Sequence, residues 1–246
     1  MTFGSFLTTC AYVVGALVFW WAARKRNLNT EGIGWLALAG FVGGAIGAKL
    51  TEWILGHWNF FASQPLSILD PRTGGRALLG GVLGGWLVVE LAKWKLGIRR
   101  STGDLFALAL PAGEAIGRIG CHFNGCCFGV ESTVFCAVYQ HGAWRIPTQL
   151  ISAFVAFAIF AVLLFLRDKM LREGDLFKCY LLLYGSSRFL IEFLREREIF
   201  AAGLSLVQWT CFAFAFYGAC GLWQSHRAEP GVLPADKAPS LLNPKT

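Results

Sequence analysis

Residues 3–26 read FGSFLTTCAYVVGALVFWWAARKR. Residues 3–23 carry no charged side chain, and the three that follow are all basic. A helix rises about 1.5 Å per residue, so a run of this length spans a hydrocarbon core of about 30 Å. No basic residue precedes the run and RKR follows it, the reverse of a signal peptide's flanks. The run is therefore expected to stay in the protein as a helix. Lipid leaves an unpaired backbone no irregular option, which makes helix the expectation for comparable runs elsewhere in the chain.

There are many such runs. Of 246 residues, 55% are hydrophobic and 15% charged, with ten Trp and 21 Phe, and the mean hydropathy is +0.53. Soluble domains carry about a quarter charged residues, so the deficit points to lipid as solvent. Seven candidate spans follow, at 3–23, 33–56, 77–96, 103–120, 148–166, 176–194 and 204–223. The predicted fold class is an all-α integral membrane protein, a seven-helix bundle over residues 1–223. Residues 224–246 are polar and proline-rich and are expected to be a disordered tail. The sizeable connections are 57–76 and 121–147. Overlapping GxxxG pairs, Gly40/Gly44 and Gly43/Gly47 in the second span and Gly80/Gly84 and Gly81/Gly85 in the third, predict close backbone packing.

The net charge of +7 is not gathered into one polar domain, so no nucleic-acid partner is expected. Arg24, Lys25 and Arg26, then Lys93, Lys95, Arg99 and Arg100, then Arg167, Lys169 and Arg172, and finally Arg227, Lys237 and Lys245 all fall on one side of a seven-span chain. The positive-inside rule makes that side the cytoplasm, with the N-terminus outside. Lys49, Arg72, Arg76, Arg118, Arg145, Arg188, Arg195 and Arg197 lie inside spans or toward the outer face, against the rule. Ionisable groups in a span usually face the bundle interior, so an anionic ligand is expected there. Lys49 and Glu52 are three apart and suit a structural pair.

Two stripes carry the chemistry. Tyr184, Arg188, Glu192 and Arg195 share one helical face, as do Glu114, Arg118 and Cys121. Each glutamate either neutralises its arginine structurally or orients it toward a phosphate, which suits the planar guanidinium fork. Arg72, Arg76 and Arg145 are candidates for a rim that draws in an anionic headgroup. Cys10, Cys179, Cys211 and Cys220 lie in apolar spans and read as small buried residues. The C-H-x-x-x-C-C pattern at 121–127 matches no common zinc spacing, and neither metal nor cofactor is expected. Disulfide, reactive thiolate and inert packing all remain open for Cys121, Cys126 and Cys127.

GRIGCHFNGCCFG at 117–129 resembles the GRxGNFxNxExxG segment of bacterial prolipoprotein diacylglyceryl transferases. LYGSSRFLIEFLR at 183–195 resembles that family's YGxxRFxxEFxR, and IPTQL at 146–150 its HPSQL. The resemblance implies transfer of the diacylglyceryl group of phosphatidylglycerol to the lipobox cysteine of a preprolipoprotein, releasing glycerol phosphate. It implies a multi-pass protein of the bacterial cytoplasmic membrane with its site toward the outer face. By motif, Arg118 and Arg188 match essential arginines, and Asn124, Gly129, Gln149, Tyr184 and Glu192 match other site positions. Leu79 in LGGVLG stands where the family has histidine, with Arg76 three residues earlier as a partial substitute. Cys121 and Cys126 replace Asn and Glu, and Ile146 replaces His, so Cys121 joins the catalytic candidates. His122 and His57 are candidate bases at non-matching positions. Two alternatives stay open. One is a transferase of this fold with another acceptor or with its own thiol chemistry, and the other is a lipid-binding protein without catalysis.

Overall fold

The computed structural model describes residues 2–26, 30–55, 63, 78–98, 101–169, 172–196 and 199–227. Seven long helices are seen among them: α1 Phe3–Lys25, α2 Thr30–Leu55, α3 Leu78–Leu96, α4 Gly103–Phe123, α5 Thr148–Leu166, α6 Asp175–Glu192 and α7 Leu206–Arg227. Four of them, α1, α2 (over Gly32–Thr51), α5 and α7, are long and apolar enough to cross a membrane by length and composition. Three helices run past their expected ends, α1 by two residues to Lys25. α4 continues to Phe123, which puts Cys121 and His122 on the helix, and α7 continues to Arg227, four residues into the expected tail. The remainder of that tail, with His57, Arg72, Arg76 and Arg197, lies outside the described residues.

Polarity is distributed as lipid demands. Large apolar side chains face outward along the helices, among them Trp35, Phe41, Trp86, Phe154, Phe157, Phe165, Phe212 and Phe216. The interior holds Asp104, Gln149, Asp175, Arg188, Glu192 and Gln208, each buried. In water such a surface would aggregate, whereas in lipid it is the solvated face.

Backbone contact explains the glycine pattern. A Cβ at Gly43 would lie 2.6 Å from the Gly84 carbonyl oxygen, and one at Gly47 would overlap the carbonyl oxygen of Gly80. α2 and α3 therefore meet backbone to backbone, and dispersion over that close face holds them where no hydrophobic drive exists.

The helices alternate in direction, so one end of the bundle gathers the basic residues. There Asp104, at the start of α4, accepts from Arg26 Nη1 (2.8 Å), the Gly174 N–H (2.9 Å) and the Phe177 N–H (3.0 Å). It thereby ties α1, α4 and α6 together. Ser225 of α7 donates to Asp175 Oδ1 (2.7 Å) and accepts from Lys178 Nζ (2.8 Å), which adds α7 to the knot. Arg24, Arg167 and Arg227 lie over the rings of Trp20, Trp21 and Trp223, as basic and aromatic residues do at a membrane interface.

The opposite end carries a hairpin that the helical reading of the chain did not foresee. β1 (Val138–Gln140) pairs antiparallel with β2 (Ala143–Arg145), with Tyr139 opposite Trp144. The two turn residues, His141 and Gly142, have φ of 51° and 80°, the left-handed pair a two-residue hairpin needs. Across this end, α7 starts with a reciprocal box. The Ser205 N–H donates to Gln208 Oε1 (3.0 Å) and the Gln208 N–H to Ser205 Oγ (3.2 Å).

Candidate active site

The two charged stripes meet at the hairpin end. On α4, Arg118 donates to Glu114 Oε1 through Nε (3.1 Å) and Nη2 (3.0 Å), one turn back along the same face. On α6, Arg188 Nη2 lies 2.7 Å from Glu192 Oε2, with both side chains under 10% exposed. That approach lacks the alignment of a hydrogen bond, and Glu192 Oε2 has no such partner among the described residues, so the contact is one of charge. Arg195 adds a second, longer contact to the same oxygen at 3.8 Å. The pairs anticipated on these two stripes are thus formed; the side chain of Glu52, expected to pair with Lys49, lies outside what is described.

The pairs do not exhaust the donors. Nε and Nη1 of Arg188, Nε of Arg195 and the Tyr184 hydroxyl are buried without a hydrogen-bond partner among the described residues. Unmade bonds at buried polar groups cost about 1–3 kcal/mol each, more for charged ones, and native structures hold few of them. Tyr184 lies on α6 within electrostatic range of Glu114, Arg118 and Arg188, so it stands where the two stripes face each other. Unsatisfied N–H and O–H donors beside two guanidinium groups suit one class of ligand, an anion with several acceptor oxygens.

The other motif positions hold this arrangement in place. Asn124 caps α4, and its Oδ1 accepts from Thr2 Oγ1 (3.1 Å), docking the start of α1. Gly129 is clamped. Its N–H donates to the Ile146 carbonyl (2.9 Å), and a Cβ there would sit 2.6 Å from the Leu194 carbonyl and 2.8 Å from that of Ile146. Gln149 is 1% exposed and donates to the Cys126 carbonyl (2.9 Å) and to Gln140 Oε1 (3.1 Å), while its own Oε1 is unpartnered among the described residues. Gln140 in turn donates to His122 Nδ1 (3.1 Å) and to the His122 carbonyl (3.3 Å).

Arg145 is not a free rim charge. It is held between Glu131 (2.8 Å) and Glu196 (3.0 Å) and lies 4.6 Å above the Phe128 ring, so its charge fastens the hairpin to the loop and to the end of α6. Gln140 is the site-end residue that sequence reasoning missed. It sits in a three-residue strand with no motif of its own, and the one available signal was the turn after it.

The cysteines are free thiols, all eight of them. Those of Cys121, Cys126 and Cys127 cluster, with the three Sγ atoms within 4.8 Å of one another. Hydrogen bonds from Cys121 and Cys126, followed by the guanidinium groups of Arg195 and Arg118, hold the Cys127 thiol well below its usual range. The hydrogen bonds with Cys121 and then Cys127 push the Cys126 thiol up. Cys136, exposed in the loop before β1, stands apart.

Comparison with known proteins agrees with these motifs. A family model described as prolipoprotein diacylglyceryl transferase matches residues 2–224. A phosphatidylglycerol–prolipoprotein diacylglyceryl transferase of Idiomarina loihiensis is 30% identical over 85% of this chain and 84% of its own. One from Dehalococcoides mccartyi is 29% identical over 78% and 76%. The Clostridium perfringens enzyme numbered 2 is 27% identical over 81% and 80%.

Proposed function

The chain belongs to the prolipoprotein diacylglyceryl transferase family, and on that premise we propose that it moves the diacylglyceryl group of phosphatidylglycerol onto the lipobox cysteine of a preprolipoprotein. The observation that carries this reading is the set of buried donors of Arg188 and Tyr184, unpartnered among the described residues and facing the Arg118–Glu114 pair. Glu114 and Glu192 hold the two arginines from one side and leave N–H groups for the phosphodiester on the other.

The reaction needs little more from the protein. The acceptor thiolate attacks the glyceryl carbon that bears the phosphate ester oxygen. An S–C bond forms, the C–O bond breaks, and glycerol phosphate leaves with the bonding pair. Charge grows on the departing phosphate, where preorganised guanidinium donors in a dry site are worth about 10²–10³ in rate each. Arg118 and Arg188 take that role, with Tyr184 and Glu192 orienting them and Asn124, Gly129 and Gln149 holding the loop. Arg76 is assigned to the headgroup rim.

The basic end of the bundle is assigned to the cytoplasm and the site end to the outer face, with seven crossings and the N-terminus outside. That orientation puts the site of a bacterial cytoplasmic-membrane enzyme where an exported lipobox emerges. The test is complementation of a bacterium depleted of its own lipoprotein transferase. Growth with processed lipoprotein is expected; no rescue despite membrane expression overturns the reading.

A further inference from the structure

The loop after α4 brings together cysteines whose spacing does not suggest a site. Gly125 and Cys127 both take left-handed backbone, with φ of 65° and 62°, and at Cys127 a side chain opposes that conformation. The loop is pinned at each carbonyl. The Cys126 N–H donates to the Cys121 carbonyl (3.1 Å), and His141 Nε2 contacts the Gly125 carbonyl (2.6 Å). Gln149 Nε2 donates to the Cys126 carbonyl (2.9 Å) and Thr148 Oγ1 to that of Cys127 (2.9 Å). Two adjacent cysteines are thereby turned back onto a third at the end of a helix.

We propose that Cys121, Cys126 and Cys127 are the three protein ligands of a thiophilic divalent cation of the zinc class, whose fourth position takes the acceptor thiol of the transfer reaction. The role of the fourth position rests on the function proposed above; the cation site does not. Zinc–sulfur bonds of about 2.3 Å place ligand sulfurs about 3.8–4.0 Å apart. The three Sγ atoms lie within 4.8 Å of one another, so each pair closes by about 1 Å at most. An all-thiol donor set selects a soft cation over magnesium or calcium. Three thiolates around a dication leave one negative charge, and Arg118 and Arg195 lie within electrostatic range of Cys127 to offset it.

Three protein ligands plus one exchangeable position is the arrangement of reactive rather than structural zinc. A thiol that binds a dication does so as thiolate, and its proton passes to solvent. The acceptor cysteine is then nucleophilic without a protein base, in a chain that has Leu79 where the family pattern has histidine. Its sulfur attacks the glyceryl carbon, the C–O bond breaks, and glycerol phosphate leaves with the electron pair toward Arg118 and Arg188. The oxidation state of the cation does not change.

The probe is Co²⁺, titrated into the reduced full-length protein in detergent and read by its sulfur-to-cobalt charge-transfer band. One equivalent is expected to bind. C121S/C126S/C127S is expected to lose the band, and C126S alone, which changes a single exposed thiol, to lower it by about a third. C136S keeps it. A lipobox peptide with its cysteine is expected to raise the band by about a third, and the same peptide with serine to leave it unchanged. Binding no stronger in the wild type than in the triple variant overturns the site. A band indifferent to the cysteine peptide overturns the role of the fourth position. Chelation is expected to lower lipid transfer at least tenfold, restored by Zn²⁺, and transfer unaffected by full chelation also overturns that role. If the cation and peptide bind as expected but no lipidated peptide ever forms, the transferase reading fails and the cation site stands.

Discussion

Arg188 tests the chemistry at the scale of one residue, but its obvious variant misleads. Arg188→Ala leaves the buried Glu192 with only the longer Arg195 contact at 3.8 Å, and breaking a buried pair typically costs about 3–5 kcal/mol, so loss of activity would be confounded with loss of fold. The neutral pair Arg188→Gln/Glu192→Gln keeps shape and hydrogen-bonding capacity. It is expected to melt within a few degrees of wild type while transfer falls at least about 100-fold. Arg188→Lys keeps the charge but not the planar fork, and about a tenfold or greater loss is expected in the same assay. Both arginines and their glutamates were legible from steps of three and four on a helix. Gln140 was not, because nothing periodic ties a short strand to Gln149 and His122. The gathering of Cys126 and Cys127 against Cys121 was also hidden. It depends on left-handed backbone at Gly125 and Cys127, which spacing alone does not reveal.

Elements are held together by two devices, of which one was visible in the sequence. The GxxxG pairs of α2 and α3 meet as their spacing predicts, and Gly47 and Gly80 touch through backbone. Gly80→Val is expected to force the two helices apart and to lower the thermal midpoint of the detergent-solubilised protein by several degrees, whereas Gly34→Ala, with open space around it, changes it little. The Asp104 knot was not foreseen, since an aspartate at a helix start reads as an ordinary cap. Its three partners come from α1 and from the start of α6. Asp104→Asn is expected to cost about 3 kcal/mol, seen as a lowered melting midpoint, because it removes the charge that Arg26 and two backbone N–H groups share. The hairpin at 138–145 escaped notice for a related reason. Three-residue strands carry too little alternation, and the His141–Gly142 turn is an uncommon choice.

Taken together, the described helices are polar within and apolar without, and hydropathy conveyed that well: helix positions agree with the apolar runs to within a few residues. What hydropathy cannot supply is sidedness, which here rests on the basic residues at the end opposite the site. Cys136 is exposed at the site end. A membrane-impermeant maleimide is expected to label it from outside in cells with permeabilised outer layers, with the signal reduced in C136S, and labelling only after the cytoplasmic membrane is opened would invert the orientation. The transfer chemistry is read in one reconstituted reaction: purified protein, phosphatidylglycerol labelled in its acyl chains, and a lipobox peptide. That chemistry is expected to yield a thioether-linked diacylglyceryl peptide with equimolar release of glycerol phosphate, lost with Arg188→Gln/Glu192→Gln. A folded wild-type protein that binds the lipid yet forms no such product, with Zn²⁺ present, would contradict it.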